Sequence, residues 1–362
     1  MIREFKIGNH VVAPDRPPLF FAEIGAFFGQ DINLARGMLT RIFDAAQKVF
    51  RQPVVLKTEI LHDAEICLPG DTIEVYASKD GTVRRENYRA LIERKVFPLS
   101  HYNQLFEMCR NVGFPFVVSV YDFAGADFAA ESGAAALKIA SSNVVHLPLI
   151  RHCAGKGLPL VVDTGRATLA EVDRAVRCAR AAGQLDIVVE HSPDGHPALP
   201  KAHNLRLLET YRRAFSLPVG LSDHHVGNEM LFMAVAMGAG VIEKGVHFAP
   251  EVLDIDASHT TGLDKLTELL AQLYNCWLAL GRSERDLSAP IEGVIGTSQR
   301  QCLVARCDLP RGAKLDIASV RFAFPCRGIP VENWDTVLGW TVTSPVAAGM
   351  PICWKDVAAR VV

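Results

Sequence analysis

The chain has 362 residues, and at roughly 150 residues per domain that length points to two domains. Hydrophobic residues make up 49% and charged residues 22%, with a formal net charge of −2. These values exclude a disordered or low-complexity chain and a basic nucleic-acid-binding surface.

Short apolar runs rich in Val, Ile and Leu alternate with helical patterns from about residue 18 to 282. LFFAEIG (19–25) is followed by the helical INLARGMLTRIFDAAQKVF, capped by Asp31. PVVLK (53–57), the helical NQLFEMCRNV, FPFVVSV (114–120), ALKIA (136–140) and LPLVVDT (158–164) come next. TLAEVDRAVRCARAAG, with a threonine cap, leads to DIVVEHS (186–192), LPVGLSD (217–223) and GVIEKG (240–245). LDKLTELLAQLYNCWLALG, also preceded by threonine, closes the series, and Gly183 and Gly281 are C-cap glycines. The strand runs lack period-two alternation, as strands buried on both faces of a parallel sheet do.

Eight strands alternating with helices predict an α/β fold, a (β/α)8 TIM barrel over residues 1–282. A doubly wound open sheet is the alternative, although no G-x-G-x-x-G follows a strand. Residues 283–295 read as a linker, and residues 296–362 as a small β-rich domain without a long helix. No run approaches about 18 uncharged apolar residues, so no membrane span is expected. The opening residues lack a targeting pattern, and the nine scattered cysteines include no C-x-x-C pair. Both fit reduced thiols in a cytoplasmic protein.

A barrel places its active site at the C-terminal ends of its strands. Those ends carry Glu23, Lys57 with Glu59, Ser119 with Asp122, Lys138 with Ser141, Asp163, His191, Ser222-Asp223-His224, and Glu243-Lys244 with His247. Lys57, Lys138 and Lys244 suit a small polyanion such as a phosphorylated acid. Each lysine could instead neutralise a carboxylate, Lys244 pairing with Glu243 or Asp223. His191, His224 and His247 could offer imidazoles to a divalent metal or serve as hydrogen-bonded core residues.

FAEIG, KIAS, TGRATL, EHSPDGHPALPKAHNLR, GLSDHHVG and GAGVIEKG, in this order, resemble the landmarks of the sialic acid synthases. That family includes pseudaminic and legionaminic acid synthases and spore coat polysaccharide biosynthesis protein E. RQCLVARCDLPRGAKL, GIP, VLGW and AAGMPICW resemble its C-terminal antifreeze-like (SAF) domain. The resemblance implies condensation of phosphoenolpyruvate with an open-chain amino-sugar aldehyde, giving a 2-keto-3-deoxy sugar acid for a surface glycan. It implies a homodimer in which the small domain covers the partner's site, and a divalent metal, Mn²⁺ or Mg²⁺.

Carried over residue by residue, the resemblance makes Glu23, Lys57 and Asp256 catalytic. It assigns Lys57, Ser119, Lys138, Ser141 and Ser222 to phosphoenolpyruvate. Glu59, Asn143, Asp194, His196 and Arg327 fall to the acceptor sugar, and His224 to the metal. The departures lie mostly on the sugar and metal side. The family's second metal histidine is replaced by Gly245, and His247, two residues on and on the same strand face, is taken as the second metal residue, reaching it only with local rearrangement. Phe27-Phe28 replace an asparagine-histidine pair, and Asp163 replaces a serine. These departures leave two further readings open: a sugar- or anion-binding barrel without turnover, and a different metal-assisted aldol or isomerase enzyme.

Overall fold

The structure is a computed structural model and describes residues 2–77, 81–248, 256–284 and 300–359. The chain forms two compact units, Met1–Gly281 and Arg282–Val362. The expected linker falls, from residue 285 onward, outside the described residues.

Eight parallel strands form the first unit's sheet. They are β1 (Leu19–Gly25), β2 (Val54–Glu59), β3 (Phe116–Val120), β4 (Ala136–Ile139), β5 (Leu160–Asp163), β6 (Ile187–His191), β7 (Val219–Asp223) and β8 (Val241–His247). Each pairs with the next, and β8 pairs back onto β1, with Gly245 opposite Glu23. The sheet is therefore a closed barrel, and the open-sheet alternative is excluded.

The outer ring comprises α1 (Ile32–Lys48), α2 (Leu99–Asn111), α3 (Phe123–Glu131), α4 (Leu147–Ala154), α5 (Leu169–Ala181), α6 (Leu207–Phe215), α7 (Glu229–Ala236) and α8 (Leu266–Leu280). Asp31 caps α1, accepting from the Asn33 and Leu34 amides at 2.8 and 3.1 Å. Thr168 and Glu171 form a capping box on α5. The expected threonine cap on α8 is not formed. Lys265 stands at that N-cap, and Thr261 is drawn into a two-residue pairing with β8. The segment between β2 and α2 carries a hairpin, Ile73–Ala77 with Val83–Asn87, and a short helix, Tyr88–Glu93.

Strand alternation sorts the barrel interior into layers. Phe21, Val55, Val117, Ala136, Val161, Val188 and Val241 form an apolar floor with Leu19. An N-terminal hairpin, Phe5–Ile7 paired with His10–Val12, packs Phe5, Ile7 and Val12 against it. Gly8 makes that hairpin possible. It turns at φ +62°, and a Cβ there would lie 2.5 Å from Pro115 Cβ. Two residues further along each floor strand the inward residue is polar: Glu23, Lys57, Ser119, Lys138, Asp163, Glu190 and Glu243. Ser222 on β7 joins them, so the active end of the barrel is built directly above its hydrophobic base.

The second unit is small and β-rich, as expected. Cys302–Ala305 pairs with Val320–Ala323, and Thr341–Val342 pairs with Val357–Ala358. Leu303, Leu315, Val320, Ile329 and Val342 centre its core, and its α-helix spans only Trp334–Val337. All nine cysteines are free thiols. Among the described residues no helix is long and apolar enough to cross a membrane.

Candidate active site

Lys138 is the hub of the polar layer. Its ammonium lies 2.7 Å from Glu190, 2.7 Å from Glu243 and 3.0 Å from Asp163, with Ser222 Oγ at 3.4 Å. Lys57 donates to Glu23 and lies 3.5 Å from Glu243. All six ionisable groups except the part-buried Glu23 are nearly inaccessible. Burial works against the Lys138 charge, but Glu190, Glu243 and Asp163 hold its ammonium well above the usual range. Burial likewise opposes Glu243, and Lys138 and Lys57 hold it well below its ordinary value.

Glu23 and Glu190 behave differently. Burial raises each to about 8, against the pull of Lys57 and Lys138 respectively. Four carboxyls face two ammoniums here, so full ionisation would leave a buried charge of about −2. Protonation of Glu23 and Glu190 near neutral pH brings the layer close to neutrality. That removes much of the repulsion an incoming anion would meet.

At this layer the structure corrects two expectations. Lys244 points away from the mouth, toward the helices, where it donates to Asp223 Oδ2 at 2.7 Å and to the carbonyls of His225 and Gly227. It therefore leaves the proposed anion set and takes up the alternative pairing with Asp223. His191 also faces outward. It bonds the His203 carbonyl and packs near Tyr211, with ring centroids 6.2 Å apart, so it is a core histidine and not a metal ligand. Its neighbour Glu190 is the inward residue of that strand and joins the site instead. In the sequence, the step of two from Val188 was the available signal.

The remaining expected residues are divided between the mouth and its rim. Ser119 is buried beside Lys138 in register, and its Oγ has no hydrogen-bond partner among the described residues. Asn143 Nδ2 is in the same state at the end of a turn that begins with Ser141. Gly165 lets the β5 loop approach that turn, since a Cβ there would lie 2.7 Å from Ser141 Cβ. Asp163 accepts from Ser192 Oγ at 2.6 Å as well as from Lys138. Glu59 accepts from Tyr121 Oη at 2.7 Å, and burial followed by that carboxylate drives the phenol well above its usual range. Asp122 caps α3 through the Gly125 amide and meets His62 at 3.0 Å. Asp194 is exposed, with Arg166 at 3.7 Å. Arg327 is an exposed residue of the second unit.

Histidines gather at the ends of β6, β7 and β8, though not the expected pair. His196, His224 and His259 each offer a ligand atom within 4.8 Å of the others. Their ring centroids are separated by 4.3 Å (His196–His224), 4.8 Å (His224–His259) and 5.7 Å (His196–His259). The β6 and β7 loops are tied together by the Ala198 amide on the His224 carbonyl at 2.8 Å and by His225 Nδ1 on the Ala198 carbonyl at 3.0 Å. His259 arrives on the turn Asp256–His259. Asp256 lies 2.7 Å from His196 Nδ1. Burial would raise this carboxyl, but His196, with His259 and Lys95, holds it well below its ordinary value. Burial, with the neighbouring His196, lowers His224 to about 4, and burial, with His224, holds His259 well below its ordinary value. Both imidazoles are therefore neutral at physiological pH, the form that ligates metals. His224 Nδ1 and His259 Nδ1 are buried without hydrogen-bond partners among the described residues. The donor set thus fits a divalent cation, with His259 in the place expected of His247.

His247 is buried outside this group, edge-on to Phe27 at 6.2 Å. The same ring explains Gly245. A Cβ at 245 would lie 3.0 Å from Thr260 Cγ2 and 3.3 Å from the Phe27 ring. Gly245→His is therefore expected to overpack the mouth and lower stability by about 1–3 kcal/mol. Denaturant unfolding checks this, and Gly245→His combined with Phe27→Ala should recover most of the loss.

A closed (β/α)8 barrel that concentrates its buried charges and imidazoles at one mouth, followed by a compact β-rich unit, defines the class as a two-part TIM-barrel protein. The chain belongs to the NeuB family, whose model matches residues 56–285, and a SAF-domain model matches residues 300–358. It is 28% identical over 293 residues to the N,N'-diacetyllegionaminic acid synthase of Legionella pneumophila, covering 78% of this chain and 80% of that protein. It is 23% identical to the pseudaminic acid synthase of Helicobacter pylori, covering 94% and 98% of the two chains. The crystal structure of N-acetylneuraminic acid synthetase from Leptospira borgpetersenii shares the fold, with a TM-score of 0.68 and 24% identity over 80% of this chain and 94% of that one.

Proposed function

We propose that this protein condenses phosphoenolpyruvate with an amino-sugar-type aldehyde to give a 2-keto-3-deoxy sugar acid of the sialic-acid type. The observation that carries this reading is the Lys57–Lys138 layer beneath the barrel mouth of a NeuB-family chain. Lys57 and Lys138, with Ser119, Ser141 and Ser222, supply the charge and donors that a phosphate and carboxylate need. C3 of the enol phosphate attacks the aldehyde carbon, water adds at C2, and the C2–O bond to phosphate breaks, releasing inorganic phosphate. Glu23, protonated near neutral pH, is the group beside Lys57 able to exchange a proton with that water. A divalent metal, when bound, supplies Lewis-acid polarisation of the aldehyde oxygen. Asp256 holds His196 at the rim, while Glu59, Asn143, Asp194 and His196 offer polar groups to the acceptor. A homodimer with exchanged SAF domains would bring Arg327 to the partner's acceptor. The product then belongs to cytoplasmic assembly of a surface glycan.

The test is calorimetric titration of phosphoenolpyruvate with and without Mn²⁺, followed by phosphate release across N-acylated amino-sugar aldehydes. Binding with acceptor-dependent phosphate release is expected. Phosphoenolpyruvate binding without release for any acceptor would favour a binding barrel, and absent binding would remove the synthase reading altogether.

A further inference from the structure

The loss of a side chain at Gly245 leaves His224 without a partner on its neighbouring strand, because Phe27 and Thr260 fill that place. Three histidines nonetheless converge a few ångströms away, two of them from loops. We propose that His196, His224 and His259 form a displaced three-histidine site for a borderline transition-metal ion such as Zn²⁺, Co²⁺ or Fe²⁺, and not for Mg²⁺. The proposal deepens the synthase reading by assigning its metal to these residues.

Three observations support the assignment. The ligand atoms lie within 4.8 Å of one another. Ions held tetrahedrally at about 2.0–2.1 Å from nitrogen keep their donors roughly 3.4 Å apart, so modest side-chain rotation closes the set. Second, His224 Nδ1 and His259 Nδ1 are buried and make no hydrogen bond among the described residues. A buried polar atom without a partner is costly, and such an exception calls for an explanation. A bound cation supplies one for both atoms together. Third, Asp256 Oδ1 lies 2.7 Å from His196 Nδ1. A carboxylate beside a ring nitrogen is the usual outer-shell neighbour of a ligating histidine.

The donor chemistry selects the ion. Mg²⁺ requires hard oxygen ligands, whereas imidazole suits zinc, cobalt and iron. The group contains three imidazoles, and its nearest carboxylate is engaged with a ring nitrogen.

Chelator-treated full-length protein should be titrated with Co²⁺, Zn²⁺ and Mg²⁺, reading Co²⁺ ligand-field absorption and heat. One equivalent of Co²⁺ should develop visible bands, and Zn²⁺ should displace it while Mg²⁺ does not. His259→Ala and His196→Ala should each weaken Co²⁺ binding by more than the about 10–100-fold that loss of an outer-shell partner costs, and Asp256→Asn by about tenfold. His247→Gln should bind Co²⁺ as the parent does. Circular dichroism establishes folding of each variant, and His259→Gln replaces any alanine variant that fails to fold. Co²⁺ binding that survives His259→Ala but is lost in His247→Gln would overturn the proposal and leave the synthase reading intact. Preference for Mg²⁺, or no binding of any ion, would overturn it as well. Co²⁺ bound through His259 in a protein that does not bind phosphoenolpyruvate would uphold this site and remove the synthase reading.

Discussion

Lys138→Met is expected to destabilise the barrel by about 3–5 kcal/mol, because it strips the counter-charge from the buried Glu243 and Asp163. At the size of this unit that is a fall in melting temperature on the order of 5–10 °C. The methionine matches the lysine stem in shape, so packing changes little and the loss is mainly electrostatic. Thermal unfolding at neutral pH measures it. The cost should shrink in the double variant Lys138→Met, Glu243→Gln, where the carboxyl that Lys138 holds ionised is gone. A double variant no more stable than Lys138→Met alone would mean that Glu243 is not coupled to the lysine. The same lysine underlies the binding reading, so Lys138→Met should also abolish the calorimetric signal with phosphoenolpyruvate.

Glu190→Gln should change how stability depends on pH. The folded protein holds the Glu190 proton up to about 8 because of burial, whereas an unfolded glutamate releases it near pH 4.3. Between those values the native state binds more protons than the unfolded chain, so stability falls as pH rises. Below the lower value both forms are protonated and the penalty is absent. Glutamine cannot ionise and escapes it. Urea unfolding at pH 5.5 and 8.5 should therefore show the variant gaining on the parent by more than about 1 kcal/mol at the higher pH. Parallel pH profiles would show that Glu190 is ionised in the folded protein throughout. Glu23, also raised to about 8, should leave a residual slope in the variant.

The barrel was legible because its strands are apolar on both faces and its helices keep strict spacing, so element order follows from the pattern, while closure over the open-sheet alternative rests on the pairing of β8 with β1. The charged layer was partly legible for the same reason. Glu23, Lys57, Lys138 and Glu243 stand two residues beyond buried apolar positions, and alternation sends them inward. Facing was harder to read where a strand ends in consecutive polar residues. In Glu190-His191 and Glu243-Lys244 one residue of each pair faces the mouth and the other faces the helices. Alternation decides which only once Val188 and Val241 are placed on the inward face. His259 escaped notice because no periodicity governs the turn that carries it, and its approach to His224 is a tertiary contact. The glycine at 245 was visible as a loss, but the Phe27 ring that fills the space comes from the turn after β1, more than two hundred residues away in sequence.

The hairpin under the barrel has a consequence for traffic. Phe5, Ile7 and Val12 stopper the lower end against the valine floor, so the chamber has one doorway. An anion held at the lysine layer sits below the histidines, because Lys138 contacts Ser222 and His224 follows two residues later, about 6–7 Å along the strand direction. With the lower end closed among the described residues, the proposed anion would load before any ligand at the histidines above it. On the proposed function, a hairpin of about eight residues at the far end of the barrel would then set the order of loading.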